Sequence, residues 1–236
     1  NPPVKAIVLK SISSRRITVG NTGEADSSVM FFEIQDDLGR TIPVAGVSME
    51  FIASGATGNF TPARALTNSS GLAKTVFRTG ADTGTAVVVA QVNDVSSRPV
   101  NITILSGPPY LMKLSVVQPS DTTVKLNFPG AVGAYNGVFL GEVRADVKDR
   151  YGNPIVQGSR VVNFTRNAGS LPNSTSYSNK DGRARVDWYG GAPNPAGGNA
   201  TFTVTTLGEN NVPLSQSITV TYSGDPTIVT SLPSNF

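Results

Sequence analysis

The sequence predicts an all-β protein made of two tandem immunoglobulin-like antiparallel β-sandwiches. Three observations predict it. Apolar residues recur with a period of two and never sustain a 3.6-residue period. The 24 Gly and 16 Pro, with Asn and Asp between them, punctuate the chain too often for long helices. A stretch of about 110 residues, a usual domain length, occurs twice. About seven short strands per repeat, separated by turn signals, indicate a sandwich, with a closed barrel as the alternative.

The strands follow from alternation. Val143, Ala145 and Val147 alternate with Glu142, Arg144, Asp146 and Lys148. Ala184, Val186 and Trp188 alternate with Arg183, Arg185 and Asp187. Phe202 and Val204 lie between Thr201, Thr203 and Thr205, and Ile218, Val220 and Tyr222 between Ser217, Thr219 and Thr221. Such segments bury one face. In the first repeat Met30, Phe32 and Ile34 fall opposite Val143, Ala145 and Val147, while Ala86, Val88 and Ala90 form one face of a further strand.

The repeat itself is gap-free over two blocks. Ile34 to Phe51 lies over Val147 to Phe164, matching Asp36 to Asp149, Gly39 to Gly152, Ile42 to Ile155 and Phe51 to Phe164. Thr67 to Gly80 lies over Ser178 to Gly191, matching Asn68 to Asn179, Gly71 to Gly182, Ala73 to Ala184 and Phe77 to Trp188. Pro-rich joints recur at Pro2-Pro3, Pro108-Pro109 and Pro226. The expected domains are residues 1–106 and 107–223, standing end to end on short, semi-rigid linkers. Residues 224–236 are a tail or the start of a third repeat, and the chain reads as a segment of a longer protein, with no signal peptide in it.

Composition narrows the chemistry. There is no His and no Cys, so no Ser-His-Asp triad, Cys nucleophile, disulfide or Cys/His zinc site is available. Charged residues make up 15%, against 47 Ser and Thr, so the surface is built from hydroxyls. The net charge of +3 is scattered along the chain, which gives nucleic acid no basic footprint, and no apolar run is long enough for a membrane span. The expectation is a protein that is not an enzyme and carries no cofactor and no metal.

The aligned residues resemble the group 1 bacterial immunoglobulin-like (Big-1) domains found in tandem in invasin and intimin adhesins. The resemblance rests on the Asp-x-x-Gly turns with their following segments (Asp36 to Phe51, Asp149 to Phe164) and the Thr/Ser-Asn-x-x-Gly-x-Ala runs (Thr67 to Ala73, Ser178 to Ala184). The Gly-led strands from Gly84 and Gly198 complete it. It covers most of both repeats. It implies an extracellular, outer-membrane-associated cell surface location and a non-catalytic spacer or adhesion segment. The expected partners are other domains of the same protein and a host or surface protein or glycan. The chain departs from the family around Gly137 and Gly141 and at the longer loop 192–198, and it shows no receptor-binding tip domain. A glycan- or protein-binding module working through its loops, and an accessory module of a secreted polysaccharide enzyme, are the alternatives.

Candidate sites divide into structural and binding residues. Asp36, Asp37 and Asp149 are candidate Ca²⁺ ligands, but a turn whose first carboxylate accepts its own backbone N–H groups accounts for the motif. The same holds for Asn68 and Asn179, with Gly39, Gly71, Gly152 and Gly182 closing the turns. Phe51, Phe77, Phe164 and Trp188 are expected in the cores. Tyr151, Tyr177 and Tyr189 are the candidates for exposed contacts. Arg183 and Arg185 point outward near Asp187, and Glu142 and Asp146 share one outward strand face without a pocket to make them catalytic. Thr227 to Leu232 is β-prone and suggests self-assembly by pairing with a free sheet edge.

Overall fold

The computed structural model describes residues 3–117, 139–156, 158, 160–191 and 199–221. The loop 192–198, Gly137, Tyr222, the tail 224–236 and its segment 227–232 lie outside the described residues. The described residues of Asn1–Pro108 with Asp149–Asn153 form one compact unit, and those of Pro109–Lys148 and Pro154–Phe236 form another.

The first unit contains β1 (Ala6–Ile12), β2 (Arg16–Thr18), β3 (Ser27–Gln35), β4 (Ser48–Gly55), β5 (Gly58–Thr61), β6 (Arg64–Leu66), β7 (Leu72–Thr79), β8 (Gly84–Val92), β9 (Val95–Ser96) and β10 (Val100–Leu105). One sheet has the order β1-β3-β7-β5. The other runs β2-β10-β8-β4-β6, with β9 on β8 and β2 joined to β10 in parallel. The strand count exceeds seven because β2, β6 and β9 span two or three residues, too few to display an alternation. Met30, Phe32, Ile34, Phe77, Ala86, Val88 and Ala90 are fully buried between the sheets. The rings of Phe32, Phe51, Phe60 and Phe77 follow one another at centroid distances of 5.7, 5.9 and 5.2 Å.

The described residues of the second unit contain β11 (Leu111–Val117), β12 (Phe139–Lys148), β13 (Val161–Arg166), β14 (Thr175–Tyr177), β15 (Arg183–Tyr189), β16 (Asn199–Leu207) and β17 (Pro213–Thr221), with a 3₁₀ turn at Glu209–Asn211. Its sheets are β11-β12-β15 and β14-β13-β16-β17, antiparallel throughout. Val143, Ala145, Phe164, Ala184, Trp188, Phe202 and Val204 fill the space between them, with Trp188 edge-on to Phe202 at 5.0 Å.

The two units share a strand register. Phe32 lies opposite Ala73 and Ser28 opposite Phe77 in the first, and Ala145 lies opposite Ala184 and Gly141 opposite Trp188 in the second. The buried aromatic of the third strand in each of these sheets, Phe77 or Trp188, faces a small residue across the ladder, which leaves room for its ring in a core packed at crystal density. Burying each such side chain contributes about 1.5–3 kcal/mol.

Candidate functional site

The four repeated turns are closed chiefly by their own atoms, with Asp149 Oδ2 also accepting the Gly107 N–H at 3.1 Å. Asp36 Oδ1 accepts the backbone N–H groups of Leu38 and Arg40 at 2.9 and 2.8 Å, and Asp36 Oδ2 accepts Arg40 Nε at 2.8 Å. Asp149 Oδ1 accepts the N–H groups of Tyr151 and Asn153, both at 2.9 Å, and Asp149 Oδ2 accepts Asn153 Nδ2. Asn68 Oδ1 takes the N–H groups of Ser70 and Leu72 at 2.9 and 3.1 Å, and Asn179 Oδ1 those of Asp181 and Arg183 at 2.9 Å. Gly39, Gly71, Gly152 and Gly182 close the turns at φ of 72°, 72°, 85° and 73°. The backbone N–H of Arg40 and, after it, the Arg40 side chain hold the Asp36 carboxyl below its ordinary range. A carboxylate whose lone pairs are so occupied has little left for a cation, and among the described residues no group of three or more acidic side chains is arranged to hold one.

Phe51, Phe77, Phe164 and Trp188 are buried, and Trp188 Nε1 donates to the Ala168 carbonyl oxygen at 3.2 Å. The three tyrosines are dispersed. Tyr177 on β14 is 59% exposed, and Tyr151 in the turn after β12 is 41% exposed. The Tyr151 hydroxyl donates to the Gly20 carbonyl oxygen, also in the first unit, at 2.9 Å. Tyr189 is half-buried at the end of β15, edge-on to Phe139 at 5.6 Å. Tyr177 and Tyr189 belong to different sheets, so they form no common row.

The two outward faces of the second unit differ in chemistry. On β12 and β15, Arg183 Nε binds Asp146 at 2.8 Å and Arg185 binds Glu142 at 3.0 Å, with Arg144 also on Glu142. Arg183 and Arg185 therefore take partners across the ladder rather than Asp187 along their own strand, because Asp146 and Glu142 are registered opposite or beside them. Asp146 chiefly raises the Arg183 pKa above its usual value. The other sheet presents three rows without an ionisable group: Asn163–Thr205–Ser215, Thr165–Thr203–Ser217 and Thr201–Thr219. Thr203 and Ser217 share a hydroxyl hydrogen bond at 2.8 Å, as do Thr201 and Thr219 at 2.9 Å. A shallow groove of about 560 Å³ lies beside these rows, where Val161, Leu207 and Pro213 are exposed.

Sequence reasoning missed Glu33 and the pair Arg15 and Arg98. Glu33 is 5% exposed, ion-paired with Lys10 at 3.0 Å and bonded by Gln35 Nε2 at 3.0 Å. Its only sequence signal is a carboxylate between Phe32 and Ile34. Arg15 and Arg98 line one groove although far apart in the sequence.

No protein-family model and no curated protein sequence matches the chain. Solved structures do. The architecture is that of the tandem immunoglobulin-like domains of bacterial adhesins. FdeC, a broadly conserved Escherichia coli adhesin, aligns over 94% of this chain at 15% identity and a TM-score of 0.57. InvD of Yersinia pseudotuberculosis aligns over 96% at 17% identity and a TM-score of 0.51. The chain spans 66% and 60% of those two chains. At such identities the likeness defines the fold.

Proposed function

We propose that the chain is a non-catalytic structural spacer or adhesion segment of a bacterial cell-surface protein, exposed outside the cell. The observation that carries this reading is the doubled sandwich: one strand register and one set of self-closed turns, used twice in one chain. Repeated modules of this kind set reach and spacing, while partner recognition resides elsewhere in the parent protein or on one face of the array. The likeness to FdeC, an adhesin, supports the same reading. The outward carboxylates Glu142 and Asp146 are engaged by arginines, which suits a solvated face better than acid–base work.

Antibody against the purified chain tests the proposal on the source cells. Labelling of intact cells is expected, and labelling that requires permeabilisation overturns it. Turnover of any member of a neutral and acidic glycan panel overturns the non-catalytic part.

A second reading, contact with a neutral glycan, is favoured by the uncharged hydroxyl rows of β13, β16 and β17 with Tyr177 exposed on β14 of the same sheet. Retention on an uncharged polysaccharide column, lost when Thr203 and Ser217 are both replaced by Lys, supports it. Elution in the void volume ends it.

A further inference from the structure

We propose that the free edge of β1 in the first unit is a strand-addition site for an extended, acidic peptide segment. Among the described residues β1 is terminal in its sheet and pairs with β3 alone. Ala6, Ile7, Val8 and Leu9 all line one groove of about 620 Å³. Side chains of consecutive strand residues point to opposite faces, so a groove lined by four in a row opens along the backbone edge rather than on either face. That edge carries backbone N–H and C=O groups not used by β3.

The far wall is the segment 96–100, which includes Arg98 and Pro99. Pro99 has no N–H to offer, so the wall bounds the groove without supplying the donor that a ladder would need at that position. The length of the occupant is set by β1 itself. The regular register from Ala6 to Leu9 is interrupted before Ser11, so about four occupant residues pair before the bulge turns the edge away.

Charge selects the occupant. Arg15 and Arg98 both line the groove, and neither guanidinium has an ion pair among the described residues. The carboxylate across β1, that of Glu33 opposite Val8, is already held by Lys10 and Gln35. An incoming strand with apolar residues for the Ile7–Leu9 stretch and Asp or Glu at its ends meets unpaired donors of the right sign. A second copy of this chain docking edge to edge would instead add two more arginines to the same seam and no acidic partner for them.

The probe is a blocked heptapeptide, acetyl-Asp-Val-Thr-Val-Thr-Val-Asp-amide, with the two Asp replaced by Lys in its counterpart. Both are titrated into the full ¹⁵N-labelled chain. Shift changes confined to residues 6–9 and 96–100, with slowed exchange of β1 amides, are expected. The Asp peptide should bind at least about 2- to 30-fold more tightly, the worth of two exposed ion pairs before the repulsion felt by the Lys counterpart is added. Arg15→Glu with Arg98→Glu, both at exposed positions, should invert that preference with the remaining spectrum unchanged. Equal affinity for both peptides, shifts elsewhere, an unaltered preference in the double variant, or dimerisation through β1 without peptide each overturns the proposal.

Discussion

Gly39 and Gly71 separate two costs that usually arrive together. Both sit at φ of +72°, so an Ala at either pays the left-handed penalty of about 1–2 kcal/mol. A Cβ on Gly39 meets nothing within 4 Å, whereas one on Gly71 falls 2.1 Å from the Ile42 carbonyl oxygen, about 1.3 Å inside the 3.4 Å at which ordinary contact begins. The obstacle is backbone, which cannot swing away as a side chain can. Forced overpacking adds about 1–3 kcal/mol, so Gly71→Ala should cost about 2–5 kcal/mol against about 1–2 for Gly39→Ala. Native-state hydrogen exchange of the Phe32 and Val88 amides, which lie in the two sheets of the first unit, reads the opening free energy of that unit. Gly182, at φ of +73° with the Val147 carbonyl oxygen 2.5 Å from its Cβ position, repeats the geometry in the second unit, where the lone Trp188 reports by fluorescence. Equal losses for Gly39→Ala and Gly71→Ala would refute the reasoning, since the clash would then contribute nothing.

Two further outcomes follow from particular side chains. Asn179→Ala leaves the N–H groups of Asp181 and Arg183 without their acceptor and should cost about 1–2 kcal/mol, with Asn179→Asp closer to the parent, measured by urea unfolding through Trp188 fluorescence. Gln35, then Lys10, lower the Glu33 pKa against the opposing effect of burial. A carboxyl depressed in the folded state adds stability that is full above its unfolded pKa and disappears as pH falls through the folded one, so Glu33→Gln should flatten the acid limb of a stability–pH curve below about pH 4.3 and leave neutral pH slopes unchanged.

What could be read from the residues alone tracks how local each interaction is. The turns at Asp36, Asn68, Asp149 and Asn179 are legible because donor and acceptor lie within five residues of each other. The strands carrying Ala184, Val186 and Trp188 or Phe202 and Val204 announce their buried faces by alternation, and the doubled pattern points to the all-β tandem that the structure contains. Short strands such as β2 and β9 escape, being shorter than one full period of evidence. Ion pairing escapes as well: Arg183 finds Asp146, 37 positions away, only because β12 and β15 are in register. Exposure of Tyr177, Tyr151 and Tyr189 depends on which strand ends adjoin, and the Arg15–Arg98 groove on two segments that no local pattern links.

The contrast between the two outward faces of the second unit has a consequence for the fluids such a segment would meet. Attraction to the Arg183–Asp146 and Arg185–Glu142 face fades as dissolved ions shorten the Debye length from about 30 Å in dilute medium to about 8 Å in body fluid. The hydroxyl rows hold no charge to screen, so whatever touches Thr203 and Ser217 is gripped about equally in fresh water and in brine. One module thus presents ion pairs that salt screens and hydroxyl rows that it does not.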